Sequence, residues 1–186
     1  MKKSLLFDEI LPVIEKVSWP LAILGLWAKW DLIKAGDAML IIGLASLGTV
    51  YFLRAYAPAI SGEEDSFLIG YMRKVSGISA GITLVGILFK LMSWNEGATL
   101  LVVGVVTMAI VVVIMVFSQR MNWLMVAIGA LGGLALYVPS ETLIRQFHRD
   151  DPALVEKLVY QLHHPRDRAA AADVQQYLRQ EKTQRP

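Results

Sequence analysis

The chain has 186 residues, enough for one or two small domains, and is 55% hydrophobic but only 18% charged. Soluble domains average about 45–50% apolar and about 25% charged, so the balance leans toward a membrane protein. A net charge of +2 is too small to argue for nucleic acid, and the absence of cysteine excludes disulfides, thiolate metal sites and a cysteine nucleophile.

Lys2 and Lys3 resemble a signal-peptide start. Asp8, Glu9, Glu15 and Lys16 interrupt the apolar run, and no small-residue cleavage site follows, so the N-terminus reads as retained. Leu6, Ile10, Val13, Ile14 and Val17 fall on one helical face, and Asp8, Glu9, Pro12, Glu15 and Lys16 on the other. Residues 1–16 therefore read as an amphipathic helix lying in the membrane interface; the alternative is that they simply begin the first span.

Five apolar segments follow, at about 17–33, 38–57, 77–93, 98–117 and 121–138. Residues 98–117 contain no charge, and twenty helical residues rise about 30 Å, the thickness of a bilayer core. The first and third segments each carry a lysine near the C-terminal end, Lys29 and Lys90. These are either snorkelling anchors or functional charges facing the bundle interior. Trp19, Trp27, Trp30, Tyr51, Trp94, Trp123 and Tyr137 sit near the expected interfaces.

The connections within segment pairs are short, Lys34 to Asp37 and Asn95 to Gly97, which forces antiparallel neighbours. The expected organisation is a first hairpin over 17–57, a polar loop over 58–76, a second hairpin over 77–117 and a fifth span over 118–138. The two hairpins repeat. Gly25, Lys29, Gly36, Leu40 and Gly43 stand at a constant offset of 61 residues from Gly86, Lys90, Gly97, Leu101 and Gly104, and Ser18 obeys the same offset from Ser79. Two spans per copy make this a parallel repeat.

Residues 139–186 form a polar tail. Asp151-Pro152 is a helix start, with aspartate as N-cap and proline in the first turn. Leu154, Val155, Leu158, Val159 and Leu162 make an apolar stripe that His163-His164-Pro165 ends, and a second helix is expected over about 167–181 with Ala170, Val174, Tyr177 and Leu178 inward. One such helix pair cannot bury its own face, so the tail needs a partner, the membrane surface or another copy of itself.

Gly77 with Gly81, and Gly129 with Gly133, are small-xxx-small pairs that bring helices close, within or between protomers. His148, His163 and His164 read as exposed tail residues, and no metal or cofactor is expected. No nucleophile elbow, phosphate loop or zinc helix is present, which argues against an enzyme.

The second hairpin turn, Gly86-Ile-Leu-Phe-Lys90-Leu-Met-Ser-Trp94-Asn-Glu-Gly97-Ala98 followed by Leu100-Leu-Val-Val-Gly104, resembles the N-terminal membrane hairpin of the gliding-motility protein GldL. The first hairpin is similar through Gly25, Lys29, Gly36 and Ile42-Gly43, and Ala55-Tyr56-Ala57-Pro58 resembles the way that hairpin ends. The resemblance implies a multi-subunit assembly with a partner protein in the inner membrane of Bacteroidetes-type bacteria. In that family a membrane glutamate tied to proton use follows the Ile-Gly of the second helix. Here the corresponding stretches, Leu44-Ala-Ser-Leu47 and Val105-Val-Thr-Met108, hold no acid, so the resemblance carries the scaffold and not the motor.

Lys2, Lys3, Lys16, Arg54, Arg73, Lys74 and Arg120 flank the spans on the N-terminal side, against Lys29, Lys34, Lys90, Arg145 and Arg149 on the other. The excess favours a cytoplasmic N-terminus, and the resemblance points the same way and implies a bacterial inner membrane. The expected fold is an all-α polytopic bundle of two duplicated hairpins, a fifth span and a small helical tail. The leading expectation is a non-enzymatic subunit or scaffold that oligomerises in the bilayer and presents its tail to a protein partner. The alternative is an oligomeric pore lined by Ser79, Thr83, Thr107 or the lysines Lys29 and Lys90. A small transporter fits less well, because no span is broken at its middle.

Overall fold

The computed structural model describes residues 5–57, 67–94, 97–118 and 122–184, and every element among them is helical. Eight α-helices follow in chain order: α1 Leu11–Trp30, α2 Ala35–Arg54, α3 Phe67–Leu91, α4 Gly97–Phe117, α5 Trp123–Tyr137, α6 Ser140–Phe147, α7 Pro152–His163 and α8 Arg168–Gln184. One π-helical turn, Leu6–Ile10, leads into α1 without a break. Among the described residues, four stretches are long and apolar enough to cross a bilayer: Leu6–Trp30, Ala35–Arg54, Gly70–Leu91 and Gly97–Phe117. The chain is a multi-pass membrane protein.

Three boundaries differ from the expectation. The segment read as an interfacial helix, or else as the start of the first span, is continuous with that span: the π-helical turn Leu6–Ile10 runs into α1, and Pro12 lies where the π turn gives way to the α-helix. Helix α3 starts at Phe67, so residues 67–76 are helical rather than part of the polar loop. The expected fifth span becomes a 15-residue helix followed by an 84° bend into α6. Fifteen residues rise only about 22 Å, less than the bilayer core. The bend falls at Val138-Pro139, where both residues are extended, as a residue preceding proline prefers. The loop residues Ser61, Gly62, Glu63, Glu64 and Asp65, the turn residues Asn95 and Glu96, and Arg120 lie outside the described residues.

Each hairpin packs on itself, α1 with α2 and α3 with α4; α2 joins the halves through α3, and α5 lies on both α3 and α4. Leu40, Leu44, Leu47, Tyr51, Leu84, Leu101, Met108 and Ile128 form the core between them. The outer surface is as apolar as the core, with Ile23, Trp27, Ile42, Val102, Val106, Ile110 and Val113 exposed. Such a surface is stable against lipid and would be a liability in water.

The tail follows its sequence pattern. The Asp151 carboxylate accepts from the Leu154 N–H at 3.0 Å, with Pro152 at the head of α7. Lys157 pairs with Asp173 across the α7–α8 pair, and the Tyr177 hydroxyl donates to the Asp151 carboxylate at 3.0 Å. Leu154, Val155, Ala170 and Val174 are buried, while Leu162 and Leu178 remain exposed. Helix α6 ties the tail to the bundle, because Phe147 stacks edge-on against Trp30 with ring centroids 6.3 Å apart.

Candidate functional site

The two hairpin turns lie at the end of the bundle that carries the tail, and their geometry recurs at the sequence offset. Helix α1 ends with Leu32 N–H donating to the Lys29 carbonyl and Ile33 N–H to the Ala28 carbonyl. Helix α3 ends with Ser93 N–H donating to Lys90 and Trp94 N–H to Phe89. Both are Schellman closures, and the residue each needs in the left-handed region is not glycine: Leu32 has φ 58° and Ser93 φ 55°. In both hairpins the N–H of the following glycine then closes the turn, Gly36 to Ile33 and Gly97 to Trp94.

The repeat glycines recur in the same way as contact points. A Cβ on Gly25 would come within 2.6 Å of the Leu40 backbone, and one on Gly86 within 2.7 Å of Leu101. Gly36 meets the backbone of Ala28 and Lys29, and Gly97 that of Phe89 and Lys90. Gly43 lies on Ala22, and Gly104 on Thr83. The nearest contact partner of each of these three glycines in the first hairpin, Leu40, Lys29 and Ala22, has its counterpart 61 residues on in the second, Leu101, Lys90 and Thr83.

The lysines share a position but not a partner. Both are buried, at 6% exposure. Lys29 forms an ion pair with Asp37 on α2 and lies over the Phe147 ring, 5.1 Å from its centroid. Lys90 donates to the Leu136 carbonyl at 3.3 Å. That carbonyl lies in the last turn of α5, where helix carbonyls lack an intrahelical donor. Neither lysine is a fully exposed anchor; each holds a neighbouring element against its turn.

Beside Lys29, a cleft of about 200 Å³ separates the first turn from the tail, lined among others by Lys34, Asp37, His148, Asp150 and Asp151. Burial holds the His148 imidazole below its ordinary value, as does the nearby Lys29 ammonium; Asp37, Asp150 and Asp151 oppose them. Beside Lys90, a second cleft of about 250 Å³ is lined by Ser93, Gly97, Ala98, Thr99 and Ser140.

The remaining sequence candidates do not converge. Ser79 and Thr83 are fully buried, and the Thr83 hydroxyl donates to the Ser79 carbonyl at 2.8 Å. Thr107 is on α4, half-exposed, and its hydroxyl donates to Val103 at 2.7 Å. Gly77 and Gly81 pack on α2, against the carbonyls of Tyr51 and Gly48. Gly129 faces the Met108 side chain, whereas a Cβ on Gly133 would meet nothing within 4 Å. The close approach on α5 is made instead by Gly132, against Thr83 and Val105, a residue the i, i+4 spacing passes over. Among the tail histidines, the rings of His163 and His164 bond to the carbonyls of Val159 and Tyr160 in their own helix.

A cluster at the opposite end of the first hairpin has no sequence signal. The Glu15 carboxylate accepts from the Tyr51 hydroxyl at 2.5 Å and pairs with Arg54 at 2.7 Å. Glu15 thus lies within the first spanning stretch, its side chain 15% exposed, rather than on the polar face of a surface helix. Residues 36 and 39 positions away complete its coordination, so no local pattern announces it. In the two stretches where the motor acid of the resembled family would fall, 44–47 and 105–108, Leu44, Leu47 and Met108 are buried apolar core.

No curated protein and no solved structure matches the chain. Residues 75–131, which take in most of α3, all of α4 and the first part of α5, match the family model described as the GldL N-terminal domain, and the chain is in that sense a GldL-like membrane protein.

Proposed function

We propose that the chain is a non-enzymatic subunit or scaffold of a bacterial inner membrane, built from two tandem copies of a GldL-like hairpin, which oligomerises and presents its tail to a protein partner. The observation that carries this reading is the unfinished packing of the tail. Helices α7 and α8 bury four small or medium side chains between them and leave Tyr160, Leu162 and Leu178 exposed. A helix pair of that size gains little from burial alone and is stabilised by whatever covers its remaining apolar face.

The recurrence of three glycine contacts at one sequence offset supports the tandem copies, although the family match covers the second copy and the start of α5 and not the first copy. The GldL family is a gliding-motility membrane component and is not known as an enzyme, which supports the non-catalytic reading. The absence of an acid from the stretches 44–47 and 105–108 removes the group a proton-driven motor of that family would use, which supports a structural or presenting role. The pore alternative has less support, because Ser79 and Thr83 are spent inside one protomer.

Affinity purification of the full chain in mild detergent tests the proposal. The expected result is an oligomer with a co-purifying protein, and loss of that protein but not of the oligomer in the double variant Leu162→Glu, Leu178→Glu. A strict monomer without a companion overturns it.

A further inference from the structure

We propose that the cleft beside Lys90 binds a phosphate oxyanion, which takes the place that the Asp37 carboxylate holds beside Lys29. The inference goes beyond the scaffold reading and does not depend on oligomerisation or on a tail partner.

The argument starts from charge. Lys29 and Lys90 are equally buried, at equivalent positions before two turns of the same construction. A buried ammonium is costly unless it is paired. Lys29 has its anion within the chain, Asp37. The residue at the equivalent place in the second hairpin, 61 positions on, is Ala98, and it lines the cleft beside Lys90. No carboxylate among the described residues pairs with Lys90, whose partner is the neutral carbonyl of Leu136. An ammonium has three donors, so two remain for a ligand.

Ile144, Leu158, Leu162 and Pro165 make one wall of the cleft apolar, and the opposite wall suits the same chemistry. Ser93 lines it, and its hydroxyl oxygen is buried without a hydrogen-bond partner. Helix α4 begins there at Gly97, and the first-turn N–H groups of Ala98 and Thr99 have no partner within the helix. A cation, a hydroxyl and a helix N-terminus around about 250 Å³ leave room for a phosphate group. Since the turn lies at the end of two spanning helices, the phosphate of an anionic phospholipid is within reach, and free phosphate offers the same oxygens.

The experiment uses the full chain purified in detergent, with two probes: phosphatidylglycerol, counted by native mass spectrometry, and inorganic phosphate, followed by calorimetry. The expected result is one bound anion per chain, weakened about tenfold or more in Lys90→Met and in Ala98→Asp, as loss of a charge-assisted contact implies, and retained in Lys90→Arg. Retention of the lipid with no response to inorganic phosphate assigns a headgroup; the reverse assigns a soluble phosphate. Binding of neither probe overturns the proposal, as does binding that Lys90→Met and Ala98→Asp leave unchanged. Binding that appears only in Glu96→Gln overturns it too, because a carboxylate of the chain then fills the site. Should the loss variants fail to fold, Asp37→Ala carries the test: a second bound anion supports the proposal, and unchanged stoichiometry overturns it.

Discussion

At the scale of single residues, the charges of this chain are placed where bilayer chemistry makes them useful. Lys29, Lys90 and Glu15 are each substantially buried and each joined to a group on another element. A charge so placed specifies which elements come together, because leaving it unpaired costs more than the pair itself gains. His148 adds a pH dependence at the seam between tail and bundle. Burial and Lys29 hold its imidazole below the ordinary 6.5, against the opposing pull of Asp37, Asp150 and Asp151. The undocked tail therefore takes up the proton first as the pH falls. Docking should be at full strength above pH 6.5 and weaken as the pH drops below it. Hydrogen exchange of α6 and α7 between neutral and mildly acidic pH checks this, and His148→Asn should flatten the dependence; a profile unchanged by that substitution would count against the seam as its source.

At the scale of elements, close backbone approach is what builds each hairpin. Gly104 lies against the backbone of Thr83, where a Cβ would come within 2.8 Å, whereas Gly133 faces open space. Gly104→Ala should therefore destabilise the bundle by about 1–3 kcal/mol, since the neighbour is backbone and cannot turn aside. Gly133→Ala should leave stability unchanged or raised by up to about 1 kcal/mol, from helix propensity alone. Unfolding in mixed micelles measures both. Equal effects at the two sites would mean that the α5 outer face is covered by another chain. Gly36 and Gly97, packed on the helix ends before each turn, explain how the turns accept Leu32 and Ser93 at positive φ: a left-handed residue costs about 1–2 kcal/mol, and the close packing over-determines the turn.

At the scale of the whole molecule, the tail and the N-terminus occupy opposite ends of the bundle, because Trp30 and Lys29 at the end of α1 meet Phe147, and Lys90 at the end of α3 meets the end of α5. Helix α5 ends beside Lys90 but has 15 residues against 21 in α4, so a crossing by it requires a thinner local bilayer or the α6 bend in the headgroups. Reporter fusions at the two termini should give opposite signals. The same signal at both ends would show that α5 and α6 form a re-entrant pair instead of a fifth crossing.

Much of this was legible in the residues alone. The hydrophobic runs, the short turns, the recurrence of glycine and lysine at one offset, and the capped start of α7 at Asp151-Pro152 are properties of neighbouring residues, and local physics suffices for them. The continuous first helix, the early start of α3 and the bend after α5 were less accessible, since a polar or proline-bearing stretch reads as loop until packing carries the helix through it or ends it. What only the tertiary structure decided is which face of each helix turns inward. In a helix apolar all round, lipid and protein interior are equally good surroundings, so no amphipathic signal marks the contact face. Successive residues point about 100° apart on a helix, and that rotation alone separates Gly132, pressed against Thr83, from Gly133 in the open. That Asp37 stands opposite Lys29, and Ala98 with a cleft beside Lys90, is written in the sequence, but only the packed turns make it a contact in one hairpin and a gap in the other.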